Sequence, residues 1–270
     1  MSKSPYSDPE MAAVYDRIAA RLQFNAPGHD LVEVAGVSTG DVVLDVGTGT
    51  GVVATAARTA AGPEGFIVGV DPAIEMIRHA PRETCTLVLG QMPVLPFRDG
   101  AFDVVLAGFV VTHFANYQDG LAEMTRVCRA GGRVAMSVWG EVANAPAALW
   151  TDTATRYFDR EQLLNDFFKQ IPWDAWFSRI QNVSRVLETA GLASVSTQTR
   201  HYPVRMQTNE YLLSREASVQ GLVLRNRLSA SDWEDFTANV SQAFHDKFGP
   251  TVEYLRDVHF GVGVHVPERR

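Results

Sequence analysis

Three kinds of residue, at set spacings, carry the chemistry open to this chain. The glycines of Gly47-Thr48-Gly49-Thr50-Gly51 follow the apolar run Val42-Val43-Leu44-Asp45-Val46 and precede the small residues Val52-Val53-Ala54. Glycine permits a sharp turn and lets a ligand lie against bare backbone. A helix starting behind such a turn presents free N–H groups and a partial positive charge. A turn of this kind holds a nucleoside cofactor or serves plain packing, and the loop alone does not separate the two. Asp71 ends a second apolar run, 20 residues beyond Gly51 (71 − 51). An acid at that point meets ribose hydroxyls in βαβ cofactor folds; its competing role is to cap the helix that starts after Pro72. His113, in Val111-Thr112-His113-Phe114 just past a fourth apolar run, is the candidate general base.

These positions need elements to hold them. Residues 42–46, 66–70, 86–90, 102–107 and 133–139 are short apolar runs separated by helical stretches, which predicts a parallel sheet. Helices are expected after Gly51, around Ile74-Met76-Ile77, and through Glu123 to Val127, the last stopped by Gly131-Gly132. Ahead of the sheet, Ser7-Asp8-Pro9-Glu10 reads as a capping box with Ser7 at the cap. Met11, Val14, Tyr15, Ile18 and Leu22 then recur at helical spacing, and Pro27-Gly28 is the expected end. A second short helix is expected around residues 31–37. The first helix covers one sheet face, or turns Tyr15-Asp16 toward a cofactor.

Composition bounds the class. The chain has 270 residues, enough for one large α/β domain or two small ones, and a hydrophobic fraction of 46% suits a globular fold. A net charge of −7, with no Lys/Arg cluster beyond Arg269-Arg270, argues against a nucleic-acid partner. The start of the chain is polar through Tyr6 and lacks an apolar signal core, and the longest apolar run, residues 104–111, is short for a membrane span. The expectation is a cytoplasmic protein with no membrane partner. Cys85 and Cys128 stand far apart and no metal-ligand spacing occurs, so neither a disulfide scaffold nor a metal is expected.

The motifs taken in order resemble class I S-adenosylmethionine-dependent methyltransferases, in the small-molecule branch that includes quinone and natural-product enzymes. The resemblance rests on five stretches: residues 44–51, Gly69-Val70-Asp71, Leu95-Pro96-Phe97, Phe102-Asp103-Val104-Val105, and Glu123 through Arg126-Val127 to Gly131-Gly132-Arg133. It covers roughly residues 40–140 and displaces a dinucleotide as the occupant of the glycine loop. It implies a Rossmann-like, doubly wound seven-stranded sheet with an antiparallel last strand. It also implies S-adenosylmethionine as cofactor. The backbone of Gly47, Thr48, Gly49 and Gly51 would approach the methionine part, with Asp45 supporting the loop. Asp71 would hold the ribose, Pro72 or Met76 would lie against the adenine, and Gln91 and Met92 would flank its edge. Ala107 and Gly108 would line the methionine end by backbone contact. Gln91 stands where the family usually has aspartate, and Ala130 where a Pro-Gly-Gly turn is common.

The motifs leave the C-terminal half unexplained. All five tryptophans follow Arg133, among them Trp139, Trp173 and Trp176. An aromatic insertion over residues 141–180 makes extra core for a lid or an apolar substrate pocket, and Tyr15 is a further candidate for that pocket. Residues 193–205 read as the sixth strand, and residues 207–250 as a helical second lid element. Within it Ser231-Asp232-Trp233-Glu234 is a second capping box. Val258 to Val266 alternate with period two, which predicts the seventh strand. His201, Tyr202, His259 and His265 are weaker acid–base candidates. The expectation is a single domain over residues 1–270, with cover helices over 1–38 and a cofactor core over 40–140. Its expected activity is methyl transfer to a hydrophobic small molecule, at a hydroxyl of an aromatic or polyketide-like metabolite of secondary metabolism. The alternative is cyclisation or rearrangement without methyl transfer. A homodimer is compatible with the sequence.

Overall fold

The computed structural model describes residues 5–142 and 144–266; residues 1–4 and Arg269-Arg270 lie outside them. The apolar runs form β1 (Val42–Val46), β2 (Phe66–Asp71), β3 (Thr86–Leu89), β4 (Phe102–Gly108) and β5 (Cys128–Trp139). β6 (Leu192–Gln207) and β7 (Thr251–His265) complete one seven-stranded sheet in the order β3-β2-β1-β4-β5-β7-β6. β1 to β5 pair in parallel, while β7 runs antiparallel to both β5 and β6. This is the Rossmann-like sheet that the motifs imply. Chain order reverses between β1 and β4, so a ligand crevice opens where those two strands end.

Alternation along the strands fills both faces. Val43, Ile67, Val104, Leu106 and Ala135 pack with the Asn25–Val34 and Val52–Ala61 helices. Leu44, Val46, Val70, Val105 and Met136 pack on the other side with the Tyr117–Val127 and Ile180–Thr189 helices. Several motif residues are fasteners. Glu123 accepts from Leu95 N (2.6 Å) and is bridged to Arg126, whose guanidinium also donates to Phe97 O (2.9 Å) and Asp99 (2.6 Å). Asp103 accepts from Val42 N (2.7 Å) and pairs with Arg129, joining the start of β1 to β4 and β5.

Past the end of β5, where Trp139 pairs with Val258, the sheet narrows to a ribbon of β6 and β7 that runs from His201–Asp257 to Gln207–Thr251. Its tip carries the Thr208–Glu216, Val219–Arg227 and Ala230–Phe248 helices. The Ala145–Ala154 and Arg160–Gln170 helices pack against them, so the two insertions share one core. That core includes Trp150, Leu163, Leu212, Val223, Phe236 and Phe244, with Ile18 added from the N-terminal segment. It stands beyond the carboxyl edge of the parallel strands.

Several local expectations are corrected. Asp8, not Ser7, caps the first helix, accepting from Glu10 N and Met11 N. The chain does not stop at Pro27-Gly28. Helical turns continue from Pro9 through Val34, with wide π-type turns over Tyr15–Phe24, and no separate helix starts near residue 31. Pro27 is tolerated in the first turn after that change, where its missing N–H costs little. Gly28 brings this helix close to its neighbour; a Cβ there would stand 2.9 Å from Val52 Cγ1. Gly131-Gly132 does not stop the fifth motif helix, which ends at Val127. The pair lies inside β5, in a register shift between Phe102 and Val104, and a Cβ on Gly132 would stand 2.7 Å from Asp103 O. In the lid, Ser229 rather than Ser231 caps the long helix, accepting from Asp232 N.

Phe236 is fully buried, with its ring 5.1 Å from Trp150 and 5.7 Å from Trp233. Phe236→Ala is expected to lower the unfolding free energy in urea by about 3–5 kcal/mol, and a loss below about 1 kcal/mol would contradict a close-packed lid core.

Candidate functional site

The site is built on the turn after β1. Gly47, Gly49 and Gly51 have φ of 68°, 55° and 84°. A Cβ at Gly47 would stand 2.4 Å from Val110 Cγ2, whereas one at Gly49 would meet nothing nearer than Met76 Cε at 3.4 Å. The loop therefore presents backbone without side chains toward Met76. Two buried carboxylates hold it. Asp45 Oδ2 accepts from Thr48 Oγ1 (2.7 Å) and Ala54 N (3.0 Å), and burial pushes its pKa up to about 7 against those two bonds. Asp71 Oδ2 accepts from Gly49 N (2.9 Å) and Oδ1 from Ala73 N (2.8 Å); burial raises its pKa as well. Its capping role is thus real, and each oxygen keeps a second lone pair for a further donor.

These residues fit the adenosylated methionine that the motifs imply. The loop offers open backbone, Thr50 Oγ1 is buried without a partner among the described residues, and Asp71 retains acceptor capacity at the end of β2. Met76 is buried opposite Gly49, while Pro72 is exposed. Gln91 is exposed and bridges to Val94, and Met92 is half-buried against the core below. Ala107 is fully buried inside β4. At Gly108 a Cβ would stand 2.9 Å from Val53 Cγ2 and 3.9 Å from Ser137 Oγ, itself buried without a partner. An open cleft of about 360 Å³ flanks the loop, lined among others by Asp16, Arg21, Thr50, Gly51 and His79.

The N-terminal segment closes over the loop. Tyr6 and Tyr15 meet edge to face at 6.0 Å and pack with Ala12, Ala73 and Met76. Burial and the negative charge of Asp71 push the Tyr6 phenol up to about 12, and burial, with Tyr6 beside it, raises that of Tyr15. His113 lies 5.9 Å from the Tyr6 ring, in the turn after β4, and burial pushes its pKa down to about 4. Its imidazole is therefore neutral at physiological pH and available as an acceptor.

The aromatic insertion divides in two. Trp139 lies 4.2 Å from Phe109 and 5.3 Å from Phe24, which stacks on Tyr15 at 5.4 Å. An apolar wall thus runs from the N-terminal cover across the end of β4. Trp173 and Trp176 pack instead around Tyr117, and Trp173 Nε1 donates to Phe114 O (2.8 Å), steadying the turn that carries His113. The other candidates have structural partners. His259 bonds Thr199 Oγ1 and Ser178 O, His265 bonds Cys128 O, His201 pairs with Asp257, and Tyr202 donates to Asp30. Tyr6, Phe24 and Phe109 escape the sequence reading. Phe109 takes a left-handed φ of 58°, which glycine would have signalled and phenylalanine does not.

Asp45 generates a pH test. Between its unfolded value near 3.8 and the folded value of about 7, the folded protein holds a proton that the unfolded chain has lost. The group's stabilising contribution is full below the lower value and is lost as pH rises through the upper one. Asp45→Asn removes the titration and leaves an oxygen for both donors. From pH 5 to pH 7 the variant is expected to gain on the wild type by up to about 1.4 kcal/mol per pH unit in urea denaturation, and parallel profiles would contradict it.

Residues 44–136 match the family model for a methyltransferase domain. A demethylmenaquinone methyltransferase of Staphylococcus aureus is 38% identical over 104 residues, covering 37% of this chain and 43% of that protein. The chain spans 39% and 43% of the length of the first curated relatives it matches. Among solved structures, a type II methyltransferase of Anaeromyxobacter dehalogenans superposes with a TM-score of 0.58 at 18% identity, covering 90% of this chain and 97% of that one. Phosphoethanolamine N-methyltransferase 2 of Haemonchus contortus, in complex with S-adenosylmethionine, gives 0.58 at 14% identity, over 96% of this chain and 58% of that one. At these identities the likeness concerns the fold. The matched domain runs from the glycine loop into β5, and over this stretch the chain is similar to S-adenosylmethionine-dependent methyltransferases.

Proposed function

We propose that the protein transfers a methyl group from S-adenosylmethionine to a hydroxyl of a hydrophobic, aromatic small molecule held between the lid and the carboxyl edge of the sheet. The observation that carries the reading is the meeting of Asp71, at the end of β2, with the backbone of Gly49 after β1, beside the switch point between β1 and β4. The sulfonium supplies an already activated methyl, whose bond to sulfur breaks as the acceptor oxygen attacks, leaving S-adenosylhomocysteine. The chain's own work is then proximity and exclusion of water. The Gly47–Gly51 backbone and Asp71 would orient the donor. Tyr6 and Tyr15 cover it. Phe24, Phe109 and Trp139 offer the acceptor an apolar wall. His113, kept neutral by burial, would accept the acceptor's proton or hold it by a hydrogen bond.

Asp71→Asn removes a charged acceptor while leaving one oxygen for the loop. It is expected to weaken S-adenosylmethionine binding about 10- to 100-fold by calorimetry, and an unchanged affinity would remove Asp71 from the ribose contact. Incubation with methyl-labelled S-adenosylmethionine and a metabolite extract should give labelled product in step with S-adenosylhomocysteine. Product without S-adenosylhomocysteine would favour cyclisation or rearrangement. With an acceptor in hand, His113→Ala should lower turnover about 100-fold or more while donor affinity holds. The wild-type rate should show no inflection between pH 6 and pH 8 from this residue, and retained turnover in the variant would exclude it as base.

A further inference from the structure

Two arginines under the lid have no acidic contact among the described residues. Arg256, on β7, lies with its guanidinium carbon 3.7 Å from the centroid of Trp139, and its Nε is buried without a hydrogen-bond partner. Arg215, at the end of the Thr208–Glu216 helix, sits 5.7 Å from the centroid of Trp150, with Nε and Nη2 buried and unpartnered. Among the described residues neither forms an ion pair. Asp174 is the acid that acts on Arg256 through space, yet it lies beyond ion-pair distance and burial raises its own pKa. The two guanidiniums repel each other, and burial lowers the pKa of Arg256. A ring face returns less than the hydration a guanidinium gives up on burial, so cation–π contact alone leaves this charge unbalanced. What such a pair of planar donor forks matches is an oxyanion.

Trp139 gives the place its meaning. One neighbour of its ring is Phe109, directly after Gly108 at the donor crevice, and another is Arg256. A flat apolar molecule lying along Trp139 would reach from the donor crevice toward the arginines. We propose that the acceptor is an aromatic oxyanion, its ring against Trp139 and its carboxylate or phosphate held by Arg256 and Arg215 beneath the lid. The inference rests on the acceptor location given under Proposed function and adds the acceptor's charge.

Three matched probes test it on the full chain saturated with S-adenosylhomocysteine: 1-naphthoate, 1-naphthyl phosphate and the neutral 1-naphthamide, followed by calorimetry. At least one anion is expected to bind about tenfold or more tightly than the amide, and the tighter anion identifies the group. Arg256→Gln should erase that preference while leaving amide affinity unchanged, and Arg256→Lys should restore part of it. Arg215→Gln gives an independent reading if Arg256→Gln fails to fold. Equal binding of all three probes by the wild type, or a preference that survives both glutamine variants, overturns the inference. Failure to bind S-adenosylhomocysteine would instead strike the methyltransferase reading, and the probes alone would still report the anion preference.

Discussion

Asp45 and Asp71 are the carboxylates on which the loop after β1 hangs. A glycine-rich turn has no shape of its own. Each of its three glycines loses more conformational freedom on folding than alanine would, at about 0.5–1 kcal/mol apiece. Three hydrogen bonds to these two acids oppose that loss: Thr48 Oγ1 and Ala54 N donate to Asp45, and Gly49 N donates to Asp71. The same burial that makes the bonds effective raises both pKa values. Asp45 accepts from the loop and from the helix behind it through Oδ2, whereas Asp71 stands at a strand end, accepts one bond on each oxygen and keeps a lone pair on each.

The rest of the molecule arranges itself around that turn. On the sheet side, Asp103 ties the start of β1 to β4 and β5 through Val42 N and Arg129, while Glu123 and Arg126 fasten residues 95–99 to the Tyr117–Val127 helix. Above the edge, the helical segment from Pro9 to Val34 contributes Tyr15 and Phe24 to the crevice and Ile18 to the lid core. One continuous stretch thus touches the donor loop, the aromatic wall and the lid. Trp139 is the joint between these parts, in contact with Phe24, Phe109 and Arg256.

The sheet was legible because parallel strands are buried on both faces and read as unbroken apolar runs. The loop and Asp71 were legible because their spacing follows from βαβ geometry. Element ends were less so. Pro27-Gly28 and Gly131-Gly132 both read as stops, yet one pair permits close helix packing and the other a bulge in β5. Those are tertiary demands with no local sequence signal. Caps moved by one or two residues, since Ser7 or Asp8, and Ser231 or Ser229, have equal claims until the turn geometry chooses. The tryptophans were visible as a group. Only the fold separates Trp139 at the crevice from Trp173 and Trp176 around Tyr117. Arg256 and Arg215 carried no signal, because an unpaired arginine differs from a surface one only in what surrounds it.

The most direct measurement is a calorimetric titration of the wild-type chain with S-adenosylmethionine and, separately, with S-adenosylhomocysteine. A donor site built on Gly47–Gly51 and Asp71 predicts saturable binding of one molecule of either per chain, in competition with each other. An absence of binding heat for both, in protein shown to be folded, would contradict it.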